Sequence, residues 1–372
     1  MKPALDTHIR AAQVVVPCTD IAASLDFFVG RLGFRIDLIF PADAPSTVVI
    51  SGYGVCLHLE SQAEPVGSGT PLVLRLLCDH AAAHEELPGP DGVRVKWVPA
   101  QPVIVLPAGM QEFVMSRNDD IHAWGTGRAG MQYRDLIPGR LGGRFVASHI
   151  RIPLGGEVPD YVHFHRVRFQ MIFCKAGWVR VVYEDQGPPF VMQAGDCVLQ
   201  PPEIRHRVLE ASEGLEVIEI GCPAVHDTVA DHALTLPSSR LRPDRLFSGQ
   251  RFVRHMAADA EWTPWQVNDS DATGFEACDV GIAAATAGMA EVDVIRSVGT
   301  PGQEKVARLT HAGEMLFLFV LQGSFRLDDA AAGATDARGH HLLRGGDSCV
   351  IPAGAVYSLR AGAGLRLLKV AL

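Results

Sequence analysis

GEVPDYVHFHRVRFQMIFCKAG, residues 156–177, and GDCVLQPPEIRH, residues 195–206, are the stretches on which the reading of the fold turns. In the first, His163 and His165 stand two apart within an alternating apolar run, and on a strand that spacing points both imidazoles to one face. In the second, a short strand meets Pro201 and Pro202, and a third histidine, His206, opens the next strand. Three imidazoles that can converge on one point are a ligand set for a divalent transition metal. A lone histidine is more often a hydrogen-bonded core residue; three in this arrangement are read as a metal site.

The pattern G-x(5)-H-x-H-x(3,4)-E-x(6)-G followed by G-x(5)-P-x-G-x(2)-H is the signature of the cupin superfamily, and this chain resembles it in every spacing but the first, which is one residue longer. The resemblance implies an antiparallel jelly-roll barrel with a metal inside. Two residue types depart from it. Gln170 stands where the signature has Glu, and Glu203 stands where it has Gly. A carboxamide is a weak ligand, so Gln170 is either a fourth ligand or a group behind the metal, and the inner sphere is best described as three histidines. Such a site keeps the 2+ charge and open positions, which suits a chelating anion.

Strand parity sorts the neighbours. Ile172 and Cys174 share a face with Gln170, and Val208 and Glu210 share one with His206. Cys174 reads as a small buried apolar residue. An unpaired buried carboxylate is costly, so Glu210 is the candidate general base of a redox-neutral reaction; one of Arg166, Arg168, Arg180, Arg205 or Arg207 pairs with it or with a substrate carboxylate, and the others read as solvated outer-face charges. Tyr161, on the His163 face, either donates a hydrogen bond to a metal-bound oxyanion or packs at the barrel mouth.

The C-terminal third repeats the pattern. LTHAGEMLFLFVLQGSFRL begins at Leu309 and GDSCVIPAGAVYSL at Gly346. Aligning Gly323 with Gly177 and Pro352 with Pro201 puts Leu309, His311, Leu316 and Tyr357 at the ligand positions, and one imidazole does not hold a divalent ion tightly. This second barrel is expected to be structural. Glu314 is read there as a turn residue, not a substitute ligand.

Toward the N-terminus, AAQVVV, then DIAASLDFFVGRLG with Thr19 and Asp20 as caps, then FRIDLIF, STVVIS and GVCLHLE read as a βαβββ unit. A weaker second copy runs through PLVLRLLC, a short helix at DHAAAHEEL, VRVKWV, PVIVLP and QEFVMSR. Two such units resemble the glyoxalase/bleomycin-resistance (vicinal oxygen chelate) family over about residues 8 to 117. Ligand positions in that family would correspond to Gln13, Glu60 or His58, Val73 and Glu112; Val73 offers no donor, so no metal is expected there.

The expected architecture is therefore mostly β, with two jelly-roll cupin barrels preceded by an α+β glyoxalase-like domain. The boundaries are 1–117 for the glyoxalase-like domain, 118–145 for a linker, 146–222 for the metal-binding barrel, 223–250 for a second linker and 251–372 for the degenerate barrel. His226, Asp227, Asp231 and His232 in the second linker read as a solvated helix and loop.

Composition supports a folded, turn-rich chain: 372 residues, 48% hydrophobic and 20% charged, with 37 Gly and 24 Pro. A net charge of −9 without a Lys/Arg run excludes nucleic acid as a partner. No apolar stretch is long enough to cross a bilayer and the start lacks a signal-peptide core, so a cytoplasmic location is expected. Eight scattered cysteines suggest thiols, not disulfides or a zinc knuckle. The expected partner is a small-molecule substrate, with a homodimer left open.

The leading functional expectation is a mononuclear non-haem Fe(II) dioxygenase acting on a small oxygenated, aromatic or dicarbonyl, substrate. The alternatives are a redox-neutral isomerase or decarboxylase using Mn, Ni or Zn (Cu is a further candidate ion), and a small-molecule binding module without turnover.

Overall fold

The structure, a computed structural model, describes residues 10–62, 71–79, 86–119, 124–127, 130–267, 270–300, 302–330 and 339–372. The chain divides into two compact units, Met1–Val103 and Ile104–Leu372. Among the described residues no helix is long and apolar enough to cross a membrane. All eight cysteines are free.

In the first unit the strands Val14–Cys18, Arg35–Phe40, Thr47–Gly52 and Val55–Ser61 form one sheet in the order first, fourth, third, second, the first and fourth running parallel. Asp20 caps the intervening helix by accepting from the amides of Ala22 and Ala23 at 2.9 and 3.0 Å. Its apolar stripe, Ile21, Phe27, Phe28 and Leu32, packs on Val16, Val48, Ile50, Leu57 and Leu59. A second, three-stranded sheet holds Val73–Cys78, Arg94–Pro99 and Glu86–Pro88.

Here the sequence reading needs correction. The helix read at DHAAAHEEL falls mostly outside the described residues, and its end, Glu86–Pro88, is strand. PVIVLP is not a strand. QEFVMSR does form one, Val114–Ser116, but it pairs with Ser348–Val350 of the C-terminal barrel. Phe113 and Met115 pack into that barrel's interior while Val114 packs behind its sheet, so an alternating strand is satisfied wherever two apolar faces are open to it. Glu112 thus belongs to the second unit. Of the positions read from that family, Gln13 and His58 meet in the first unit, at 3.2 Å.

The second unit contains two antiparallel double-sheet barrels. The larger sheet of the first runs Val253–His255, Cys197–Leu199, Phe169–Ala176, Leu215–Cys222, Val146–Ile152, Gln132–Asp135, Trp124–Thr126. The facing sheet runs Phe190–Gln193, Trp178–Tyr183, His206–Ala211, His163–His165, Thr228–Ala230. Three segments read as linker or second barrel are therefore strands of the first barrel: 124–126 with 132–135, 228–230, and 253–255. Strands 124–126, 228–230 and 253–255 are short sheet edges and 132–135 lies next to one, and each has a period too brief to be read locally.

The second barrel pairs Thr263–Val267, Ser270–Asp279, Glu291–Ser297, Arg366–Ala371, Leu316–Gln322, Ser348–Ile351 and Val114–Ser116 against Lys305–Leu309, Tyr357–Ala361, Ser324–Asp329 and His340–Arg344. The outer faces of the two large sheets form one core, with Phe169, Met171, Phe173, Ile218 and Ile220 against Phe317, Phe319, Val292, Val294, Leu368 and Val370. Both faces of these central strands are buried, which is why FQMIFC and LFLFVL read as nearly continuous apolar runs.

Candidate metal centre

Strand alternation places one set of side chains inside the first barrel, around a cavity of about 470 Å³. At one end stand His163, His165 and His206. His163 and His206 are opposite one another in register, and Tyr183 continues the same layer on the next strand. Both are buried, at 1% and 6% exposure.

The second shell fixes which nitrogen each ring can offer. His163 Nδ1–H donates to the Tyr161 carbonyl at 2.8 Å, and His206 Nδ1–H donates to the Ile204 carbonyl at 3.0 Å. Thr228 Oγ1 hydrogen-bonds His165 Nδ1 at 2.9 Å. With each Nδ1 engaged, Nε2 is the atom each ring would offer to a metal, and one candidate ligand atom from each of the three residues lies within 4.8 Å of the others. Asp160, whose Oδ2 accepts from the Val208 amide at 2.9 Å, brings its other oxygen to 3.6 Å from His163 Nδ1. The donor set, its tautomers and its carboxylate support all fit a single divalent ion.

Gln170 is buried at the same end and lines the cavity. Its Nε2 donates to Glu219 Oε1 at 2.5 Å. Glu219 is the cavity's inward carboxylate, reached from Leu215–Cys222, where Leu215 and Val217 share its face. Sequence reasoning missed it. LEVIEIG has apolar residues on both faces, and the signal that was there is a Glu on the inward parity of an otherwise apolar strand.

Glu210 is corrected. The register shifts between Arg180 and Val181, which pair with Glu210 and Val208, leaving Leu209 as a bulge. One extra residue reverses the parity beyond it. Val208 faces the cavity, whereas Glu210 turns outward, half-exposed, and pairs with Arg180 at 3.0 Å.

Tyr161 sits at the rim, 42% exposed, with its ring 5.8 Å from His163 and 5.7 Å from His232. Cys174 lies inside the barrel, where burial pushes its thiol up to about 12, so it is an inert packing residue. Tyr183 is held protonated by burial and by the nearby Glu219 charge.

The five arginines serve elsewhere: Arg166 beside Glu203 and Asp227, Arg168 on Glu314, Arg180 on Glu210, Arg205 on Asp231, and Arg207 outside the cavity lining. The linker histidines are also corrected. His226 lines the cavity with its ring 5.4 Å from His165, because Thr228–Ala230 pairs with His163–His165. Other residues missed at the sequence level are Gln200, Ser148 and Arg140, all in the cavity wall.

The second barrel differs throughout. Leu309, Leu316 and Tyr357 join a filled interior, and Phe113 stacks on Tyr357 and His341 at 5.4 and 4.6 Å. His311 Nε2–H donates to the Ile351 carbonyl at 2.7 Å. Glu314 is an ion-pair residue, bound by Arg144 and Arg168 from the first barrel.

No family model matches the sequence, and no curated protein does. Solved structures do. The oxalate decarboxylase formate complex of Lactobacillus farciminis superposes with a TM-score of 0.51 at 14% identity, over 71% of this chain and 87% of that one. Protein Ylba from E. coli gives 0.47 at 12% identity over 72% and 92%, and a Bacillus subtilis oxalate decarboxylase (OxdC) variant gives 0.48 at 14% over 69% and 76%. The first of these likenesses shows the fold: this chain carries the cupin-type β architecture.

Proposed function

We propose that the first barrel is the metal centre of an enzyme performing redox-neutral chemistry, decarboxylation or isomerisation, on a small oxygenated anion. The observation that carries this reading is Glu219, a carboxylate inside the cavity and tied to Gln170 at 2.5 Å beside the three histidines. A reaction that leaves a carbanion or moves a hydrogen between carbons needs a proton carrier, and Glu219 is positioned as one. The role expected of Glu210 passes to it.

A divalent ion (Mn, Ni, Zn or Fe) held by Nε2 of His163, His165 and His206 supplies Lewis acidity to the substrate's anionic oxygens. The chain does the rest. Gln170 orients the Glu219 carboxylate, Tyr183 offers a protonated hydroxyl, and apolar walls from Ile150, Val181, Val208 and Val217 exclude water. In decarboxylation the bond from carbon to carboxylate breaks, carbon dioxide leaves, and a proton that the Glu219 carboxylate has taken up from water ends on the carbon that retains the electron pair. In isomerisation Glu219 takes a proton from one carbon and returns it to the next. Decarboxylation is the activity named for the L. farciminis neighbour; it is adopted here for the site's chemistry, since the likeness itself extends to the fold.

A second reading, the Fe(II) dioxygenase, is favoured by the ligand set. Three neutral imidazoles without a carboxylate leave positions for a chelating anion and O₂ together. The test separates them. Metal per chain is measured first; then turnover of 2-oxo and β-dicarbonyl acids is followed with and without oxygen. Carbon dioxide release or isomerisation under anaerobic conditions, lost at least 100-fold in Glu219→Gln with metal retained, supports the proposal. Turnover that stops without O₂ and survives Glu219→Gln supports the dioxygenase. Tight binding without product supports a binding module.

A further inference from the structure

The cavity is layered, and strand register gives the order of the layers. At the histidine end stand His163, His206 and Tyr183, with Gln170 level with Val146. One step deeper are Ile172, Glu219 and Ser148, aligned across three strands, with Val181 opposite Val208. The next layer holds Val217 with Ile150, and beyond it Leu215 with Ile152, closed by Val179 opposite Met192. Below Glu219 the wall is thus almost wholly apolar.

Gln200 lies at the histidine end, where its amide N–H donates to the Gln170 carbonyl at 2.9 Å. Its side chain borders the cavity and is 1% exposed; Oε1 and Nε2 are both sealed off, and neither has a hydrogen-bond partner. A buried carboxamide with both ends unmet costs more than an apolar residue of the same shape, unless a ligand completes it.

From these two observations we propose that the barrel binds a 2-oxo or 2-hydroxy acid carrying a branched aliphatic or aromatic tail, and that Gln200 is the residue that reads its head group. The inference rests on the metal reading above. The acid's head lies at the histidines, where Gln200 swings its carboxamide out of this sealed position to give one donor and one acceptor to its oxygens. Its reacting carbon lies level with Glu219. Its tail fills the layers of Val217, Ile150, Leu215, Ile152 and Met192. A two-carbon diacid such as oxalate has nothing to place there and would leave most of the 470 Å³ cavity unfilled.

The experiment is calorimetric titration of the metal-loaded protein with oxalate, pyruvate, 4-methyl-2-oxopentanoate and phenylpyruvate. Affinity is expected to rise on the order of fourfold for each added methylene group. Val217→Phe should remove the gain for the two long probes and leave pyruvate unchanged. Gln200→Leu should weaken every 2-oxo probe about tenfold, keep the metal stoichiometry, and raise the unfolding temperature of the probe-free protein, because the unmet amide is gone. Oxalate binding as tightly as phenylpyruvate overturns the tail assignment, as does the absence of binding by every probe to protein that holds its metal. Gln200→Leu that lowers the unfolding temperature and leaves affinity unchanged makes Gln200 structural. A wild-type chain that takes up no metal overturns the underlying metal reading as well, and elemental analysis distinguishes that failure from the others.

Discussion

The two barrels of this chain share a strand order and differ in what their inward positions hold. In the first, Ile172, Glu219 and Ser148 align across three neighbouring strands; in the second, Leu318, Lys369 and Asp293 occupy the same places. Where the first barrel has a carboxylate facing a cavity, the second has Lys369 joined to Asp293 at 2.8 Å and to Glu291 at 2.6 Å, at the end of an apolar interior. Where the first has His163, Gln170 and His206, the second has Leu309, Leu316 and Tyr357, with Phe113 stacked on the tyrosine. The fold supplies positions; residue size and charge decide whether they enclose a site or a core.

The comparison breaks most sharply on metal. His163→Ala and His206→Ala should each lose stoichiometric divalent metal while the fold persists, because two imidazoles cannot hold the ion that three do. His311→Ala should keep it, since that imidazole is committed to the Ile351 carbonyl. Elemental analysis of the three variants decides, and full occupancy in His206→Ala would refute the assignment.

Packing gives the next largest contrast. Leu318 is 1% exposed inside the filled barrel, so Leu318→Ala opens a void and should cost about 3 kcal/mol in denaturant unfolding. Ile172, its counterpart, already borders the cavity, and Ile172→Ala should cost about 1 kcal/mol. Equal costs would mean that the cavity is not open in solution.

Between the barrels the seam ends in a polar cluster whose stability depends on pH. His149 Nε2–H donates to Glu216 at 2.7 Å, burial holds that imidazole's pKa below its ordinary value, and Arg134, fully buried, reaches from His149 to the Gly346 carbonyl of the second barrel. The hydrogen bond from His149 and the nearby Lys175 hold the Glu216 carboxyl down at about 2. A depressed carboxylate stabilises the folded state above its unfolded value, roughly 4.3, and that contribution is lost as pH falls toward 2. Allowing for partial exposure, the loss should be about 2 kcal/mol in acid unfolding, and Glu216→Gln should flatten the pH dependence over that window.

How much of this was legible in the sequence follows from the same contrast. His163, His165 and His206 were readable because an unbroken two-residue period and a proline turn fix their faces. Glu210 was misread because the bulge at Leu209 is invisible in the sequence and inverts parity beyond it. Glu219 escaped because its strand is apolar on both faces, so burial carries no phase there. Strand 114–116 was assigned to the wrong sheet because a short alternating run states which face it buries but not against which partner.

The smallest effect concerns the turn at Glu203 and Gly354, where the two barrels differ in residue type. Glu203 has a φ of +61° and its amide donates to the His165 carbonyl at 3.1 Å; in the second barrel Gly354 has a φ of +76° and donates to the His311 carbonyl at 2.9 Å. The turn is the same hydrogen-bonded device in both, and it requires a left-handed residue, which is the physical reason for glycine there. The barrel with the three histidines carries a glutamate in this left-handed position, whereas the filled barrel carries a glycine. Glu203 recovers little through its carboxylate, which is 3.7 Å from Arg166 and half-exposed. Glu203→Gly should therefore stabilise the chain by about 0.5 kcal/mol, the relief of strain exceeding the added flexibility of the unfolded chain. A side chain at Gly354 would meet open space, so Gly354→Glu should cost about 1 kcal/mol through backbone strain alone. If instead Glu203→Gly destabilises the chain and loosens the metal, the glutamate holds His165 in place by something other than the turn, and the two barrels differ in their loops as well as in their cores.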